Sequence, residues 1–260
     1  MALRCAESVL DLEAFSPEDV ASRYRSWIYS EDEDRAFDTG PTILMVFETA
    51  RRKQVSYHNA ARLVFQERPQ AAGVNGAHRN SVLAACGFLR DESLGSVAES
   101  ECGLTHAHPV SISVSQAVNL MVRCLLRGVS LEDAIRNLSM CVEEPRCRAV
   151  LMKALEDFNR GADRHTLSRG GLADDVLRAS LFFLYTTESL REAVQESIRF
   201  AGADNYCPVL VGALAGALHG WKQEDEVLLR ENKMVRMPTD ESERLHNVAE
   251  RLQQSWAKKP

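Results

Sequence analysis

The sequence predicts a mainly or wholly α-helical fold, and three observations carry that reading. Helix-start signals recur along the chain, apolar residues return at spacings of three and four between them, and alternating strand patterns are nearly absent. Val110-Ser-Ile-Ser-Val114 is the one ambiguous segment, and it reads as the start of a helix that continues through Leu120 and Met121. The chain has 260 residues, 45% of them hydrophobic, which is enough to bury a substantial core. No linker or internal repeat divides it, so residues 1–260 are expected to form one domain.

The elements follow in order. Ser16-Pro17-Glu18-Asp19 has the makings of a helix N-terminus: a capping serine, proline at the first helical position, then acids in the first turn. Val118, Met121, Val122, Leu125 and Leu126 lie on one face of a helix. Ser130-Leu-Glu-Asp133 repeats the capping pattern, and Leu177, Leu181, Leu184 and Tyr185 mark a further amphipathic segment. Ser189-Leu-Arg-Glu192 is a capping box. The charged tail, 222–260, holds one more helix, from Asp240 or Ser242 to Trp256, with Leu245, Val248, Ala249 and Leu252 on one side. Loops are expected at 30–41, 66–76, 91–109, 159–173 and 201–207, and Glu31-Asp32-Glu33-Asp34 reads as a solvated loop.

Charge and cysteine usage narrow the function. A net charge of −6 without a basic stripe argues against nucleic-acid and anionic-membrane partners. The nearly uncharged stretch from Asn205 to Trp221 is too short and too glycine-rich for a membrane span. Arg4, Glu7, Asp11 and Glu13 interrupt any secretory signal. Seven cysteines (5, 86, 102, 124, 141, 147 and 207) include no C-x-x-C pair and read as reduced thiols, so a soluble, cytoplasmic protein is expected.

Gly202-Ala203-Asp204-Asn205-Tyr206-Cys207-Pro208 is a polar loop that opens into a helix of small and apolar residues ending near Gly220. Gly212, Gly216 and Gly220 fall four apart, each interior glycine costing roughly 1 kcal/mol of helix stability. The spacing predicts a wholly buried helix whose glycines admit a neighbouring backbone, with an N-terminal end suited to a phosphate or a metal-bound ligand.

Three segments, in order, resemble motifs of the ADP-ribosylglycohydrolase family. Asn75-Gly76-Ala77-His78-Arg79 is similar to the family's Asn-Gly-x-x-Met-Arg. Leu104-Thr105-His106-Ala107-His108-Pro109 resembles its Thr-His loop entering a helix. The glycine-rich segment resembles Gly-Gly-Asp-x-Asp-Thr followed by Ala-Gly-Ala-x-x-Gly-Ala. Gly40-Pro41-Thr42 and the Ser189 helix add support, and the resemblance spans about residues 1–221. It implies an orthogonal helical bundle with two magnesium ions in a central cleft. It also implies hydrolysis of the glycosidic bond between ADP-ribose and a modified side chain or small acceptor, with ADP-ribose or an ADP-ribosylated protein as partner.

The metal shell departs from the family. The early Thr-Asp-Asp-Thr has no counterpart in residues 1–260, and the segment Ala2–Leu10 resembles the helix that follows it. In the late loop Asp204 matches the first aspartate, while Tyr206 and Cys207 replace the second aspartate and the threonine. A phenol and a thiol are poor ligands for a hard cation. One matched ligand of six leaves the magnesium site incomplete, so a non-catalytic ADP-ribose-binding or crystallin-like structural protein stands as the alternative to a hydrolase. With the early part of the family fold lacking, Leu3, Val9 and Leu10 are expected to be under-packed or paired elsewhere.

The candidate ligand-binding residues are therefore Asn75, Gly76, Arg79, Thr105 and His106, and Asp204 is the candidate metal ligand. By resemblance, Thr105 and His106 line the ribose or phosphate pocket; Asn75, Gly76 and Arg79 offer groups that grip a diphosphate or an adenine edge. Two plainer alternatives stand beside these: Asp204 as a helix cap, and Asn75 to Arg79 as a helix N-terminus with an ordinary surface arginine. His106 and His108 make a poor zinc pair, because no third ligand has a sensible spacing. Asp174-Asp175 reads as N-terminal charge on a helix, complementing its dipole.

Overall fold

A computed structural model of the chain describes residues 1–30, 39–161, 163–222 and 239–257. Thirteen α-helices lie among the described residues: α1 (Ala2–Leu12), α2 (Pro17–Ile28), α3 (Pro41–Lys53), α4 (Tyr57–Glu67), α5 (Asn75–Asn80), α6 (Asp91–Gly103), α7 (Pro109–Leu126), α8 (Leu131–Cys141), α9 (Pro145–Arg160), α10 (Ala173–Tyr185), α11 (Leu190–Phe200), α12 (Cys207–His219) and α13 (Thr239–Ala257). The fold is all-α, and an isolated bridge between Gly73 and Leu172 is the extended pairing seen among the described residues. Glu31–Asp34 lies outside them, as does 223–238 of the charged tail.

The cap chemistry behaves as its residue types dictate. The side chains of Ser16, Ser130 and Ser189 accept from the amides of Asp19, Asp133 and Glu192 at 3.2, 3.1 and 3.2 Å. The Glu192 carboxylate returns to the Glu188 amide at 3.0 Å. The ambiguous segment at Val110 is indeed the first part of α7.

One expected loop was wrong. Residues 91–103 form α6, which buries Leu94, Ala98, Glu101 and Cys102 at helical spacing. A charge occupies a core position, and Gly95 and three serines dilute the apolar pattern, so the sequence shows little helical period.

Helix α7 is the central element. It packs against α5, α6, α8, α10 and α12. By length and composition it could cross a membrane, yet 67% of it is buried inside the protein. Its Arg123 is a buried staple, donating to the carbonyls of Ala84, Cys86 and Leu89 at 2.7, 2.9 and 3.0 Å and to Asp91 at 2.7 Å. The guanidinium also lies 5.0 Å from the ring of Trp256, so it links the 81–91 connection to α13.

Val9 and Leu10 are buried, and α1 packs against α2, α5, α13 and the short turn Ser81–Ala85. Arg244 of α13 forks onto the Glu7 carboxylate, and Arg251 donates to Asp11 at 2.7 Å. The apolar face of α1 is thus paired elsewhere, one of the two outcomes expected for it.

Helix α12 corrects the reading of its glycines. An added Cβ at Gly212 or Gly216 would meet open space, so the stripe does not mark a close backbone approach. Gly220 is the C-cap at φ +73° and ψ 176°, a backbone conformation that L side chains rarely adopt, and its amide bonds to the Gly216 carbonyl. Nor is α12 buried on all sides: Leu210, Val211, Leu214 and Ala215 face the core, while Val209 is 47% exposed.

Candidate functional site

A cleft of about 720 Å³ opens where the loops before α3, α5, α7, α10 and α12 meet. Asn75, Arg79, His106 and Asp204, predicted from three separate segments, all line it. Gly76 and Thr105 do not line the cleft and act behind it. Gly76 sits under α6, where an alanine Cβ would fall 2.4 Å from the Cys102 sulfur. Thr105 is buried, and its Oγ1 shares a 2.8 Å hydrogen bond with His106 Nδ1, which fixes the imidazole plane.

The local backbone explains the convergence. Gly40, at φ +71°, caps α3 ahead of Pro41, and a Cβ there would stand 3.1 Å from the Asn75 amide nitrogen. Glycine therefore lets the first turn of α3 and the side chain of Asn75 share one wall. The Ala173 amide donates to the Ala72 carbonyl at 2.8 Å, fastening the loop before α10 to the loop before α5. At Gly171 a Cβ would lie 2.6 Å from the Asp204 carbonyl oxygen, so this glycine admits the late loop to the same rim.

The floor rests on a buried ion pair. Arg79 is 3% exposed and Glu101 0%, which rules out the surface-arginine reading. Arg79 Nε donates to Glu101 Oε1 at 2.7 Å and Nη2 to the Glu101 carbonyl at 3.1 Å. The Tyr24 hydroxyl donates to the same Oε1 at 2.6 Å. Burial works against charge on Arg79, but Glu101 and Tyr24 beside it outweigh this and hold its pKa above the ordinary value. Arg79 Nη1 and Glu101 Oε2 are buried and have no hydrogen-bond partner among the described residues.

Two histidines face this region uncharged. Burial, with the nearby Arg79 and His78, lowers the His106 pKa to about 3, and burial lowers that of His78 to about 4. His108 plays a different part, since its Nδ1 accepts from the Val110 amide at 3.1 Å and caps α7. Asp174 is held by the guanidinium of Arg146 at 2.6 and 2.8 Å, in the first turn of α10.

The late loop spends its polar groups on its own backbone. Asn205 is fully buried; its amide nitrogen donates to the carbonyls of Gly170 and Ser168 at 3.0 and 3.3 Å. Its Oδ1 accepts from the Cys207 amide at 3.0 Å. Pro208 has no N–H, and the Val209 amide bonds to the Tyr206 carbonyl at 3.2 Å. The first donors of α12 are thus satisfied locally, so this helix end is not the anion site its sequence suggested.

The same loop offers few oxygen ligands to magnesium cations. Two such ions need many oxygen ligands in near-octahedral arrays. Asp204 is the one carboxylate among the described residues lining the cleft. Tyr206 presents a half-exposed phenol, and Cys207 is buried with its thiol pushed up to about 12 by burial. Among the described residues no cluster of three or more His, Cys, Asp or Glu side chains could hold a metal. The described residues do not fit a two-magnesium centre.

Sequence reasoning missed Glu101, Tyr24 and the role of His78. His78 lies inside the quoted Asn75–Arg79 motif and was legible there; Glu101 announced itself only as a charge between Ala98 and Cys102 on a helical face.

The comparisons with known proteins agree with this architecture. A protein-family model described as ADP-ribosylglycohydrolase matches residues 1–259. Among solved structures, a chain of an "ADP-ribosylglycohydrolase-related protein complex" is similar with a TM-score of 0.72 and 20% identity, covering 98% of this chain and 79% of that one. That likeness bears on the fold alone. No curated protein matches the sequence.

Proposed function

Because the chain belongs to the ADP-ribosylglycohydrolase family, we propose that its cleft takes the ADP-ribosyl group of a modified side chain or small acceptor. Hydrolysis of the glycosidic bond to that acceptor is the reaction the family brings to the proposal. The observation that carries the reading is the meeting of Asn75, Arg79, His106 and Asp204, from three distant segments, on one cleft of about 720 Å³. That size is suited to a ligand of nucleotide-sugar dimensions.

The chemistry of the walls supports the same ligand. Asn75 offers an amide donor and acceptor, and His106 and His78 are neutral imidazoles that discriminate hydroxyl and base-edge groups without adding charge. Thr105 holds the His106 ring in place. The seven free thiols support a reducing compartment such as the cytoplasm as the place of action.

Calorimetric titration with ADP-ribose, AMP and ribose 5-phosphate tests the reading. ADP-ribose should bind more tightly than either fragment. Asn75→Ala should weaken it by about 2- to 13-fold, the equivalent of one hydrogen bond of roughly 0.5–1.5 kcal/mol. Absence of binding at millimolar ADP-ribose would remove the proposal.

A further inference from the structure

We propose that a lip of the cleft, formed by Leu172, Tyr206 and Val209, selects the acceptor of the ADP-ribosyl group and favours one that is apolar or aromatic next to the glycosidic bond. This rests on the ADP-ribosyl reading above and adds which substrates that site takes.

The lip is apolar where the rest of the cleft is polar. Asn75, Arg79 and His106 bring amide, guanidinium and imidazole groups to it, and Arg79 and His106 are buried. Leu172, Tyr206 and Val209 line the same cleft but stand 38, 50 and 47% exposed. Large apolar side chains grouped in water at the rim of a pocket mark a surface that a ligand or partner covers. Their two segments lie together, since a Cβ at Gly171 would fall 2.6 Å from the Asp204 carbonyl oxygen.

The exposure is fixed by the backbone. Tyr206 stands between Asn205 and Cys207, both fully buried. Asn205 is tied to the carbonyls of Ser168 and Gly170 and to the Cys207 amide, so the side chain between them is held outward. The Val209 amide bonds to the Tyr206 carbonyl at 3.2 Å. Leu172 pairs with Gly73 in the isolated bridge, and the Ala173 amide next to it is bonded to the Ala72 carbonyl. A rim held in this way loses little freedom when a ligand covers it.

Size decides which part of the substrate meets the lip. A modified side chain belongs to a macromolecule too large for a cleft of about 720 Å³, so the ADP-ribosyl group enters and the acceptor stays at the mouth. The exposed lining residues are the mouth. There the Tyr206 ring offers a face and an edge to an aromatic group, and Leu172 and Val209 offer apolar area. Asp204, also exposed, is the one carboxylate among the described lining residues and weighs against an acidic acceptor.

Calorimetry on the full chain compares C-glycosides of ADP-ribose, which cannot be hydrolysed, bearing a methyl, benzyl or 3-aminopropyl group at the acceptor carbon. The benzyl compound should bind at least about fivefold more tightly than the methyl one, the equivalent of about 1 kcal/mol. The ADP-ribosyl part is common to both, so their ratio reads the lip. Tyr206→Ala should bring the ratio below about twofold, and Val209→Ser should lower it by about half. Equal affinity for benzyl and methyl, or a ratio unchanged in both variants, would overturn the inference and leave the ADP-ribosyl reading standing. Tighter binding of the aminopropyl than of the benzyl compound would overturn it as well, since the rim would then select charge through Asp204. Binding of neither ADP-ribose nor any glycoside would remove the ADP-ribosyl reading, and this inference with it.

Discussion

Replacing Glu101 by alanine should be among the most damaging single changes available to the chain. Glu101 is fully buried, and its Oε1 receives Arg79 Nε at 2.7 Å and the Tyr24 hydroxyl at 2.6 Å. The substitution leaves the Arg79 guanidinium at 3% exposure with no counter-charge and the buried Tyr24 hydroxyl with no acceptor. Breaking a buried pair from one side costs about 3–5 kcal/mol. At roughly 2–4 °C per kcal/mol for a chain of this size, Tm should fall by about 6–20 °C. Tyr24→Phe removes one charge-assisted bond and keeps the pair, so it should cost about 1.5–3 kcal/mol.

The double replacement Arg79→Met with Glu101→Leu should recover most of the loss, because buried pairs can be exchanged for apolar groups of similar volume. Urea unfolding followed by circular dichroism gives the three free energies, with an unchanged m-value required for the comparison. A loss below about 1 kcal/mol in Glu101→Ala would refute the reasoning. So would a double mutant no more stable than the single one, since the cost would then lie in packing rather than in an orphaned charge.

Three further outcomes are expected. Gly212→Ala and Gly216→Ala should each stabilise the protein, by up to about 1 kcal/mol, because an added Cβ meets open space on α12; a fall in Tm would restore the close-approach reading. Gly87→Ala should loosen α13, since its Cβ would fall 2.4 Å from the Ser255 carbonyl oxygen and would crowd the bond from the Gly87 amide to Ser255 Oγ. Hydrogen exchange over 239–257 should then rise by tenfold or more, the equivalent of about 1.4 kcal/mol, and unchanged protection would contradict this docking. His106 carries a folded pKa of about 3, below its unfolded value, so its contribution is fully present above about pH 6.5 and is lost as pH falls toward 3. The urea midpoint should therefore drop between pH 6.5 and 4, and His106→Gln should flatten that slope; an identical slope in the variant would count against a buried neutral imidazole.

What could be read from the sequence divides along physical lines. Caps are local, so Ser16, Ser130 and Ser189 announced α2, α8 and α11 by side chains that reach only three residues ahead. The four cleft residues were legible through family resemblance, because their loops lie far apart in the chain and only the fold brings them together. Glu101 was not legible. A carboxylate on a helical face reads as solvent-facing until the structure places Arg79 and Tyr24 against it.

The late loop shows why a family signature and a chemical site separate. Asn205 is the residue that organises it, spending both ends of its amide on the carbonyls of Ser168 and Gly170 and on the Cys207 amide. Each of those bonds satisfies a backbone group that a ligand would otherwise meet, so the loop is stabilised by what it withholds from the cleft. Tyr206 and Cys207 complete the change, one turned outward as a phenol and the other inward as a protonated thiol. The small-residue helix behind them is preserved whatever the loop does, because its buried face of Leu210, Val211, Leu214 and Ala215 is set by packing in the core. That packing is independent of whether the loop ahead of it carries hard-cation ligands. Elsewhere on the cleft, Gly40 and Asn75 share one wall, and Arg79 and His106 line the same space.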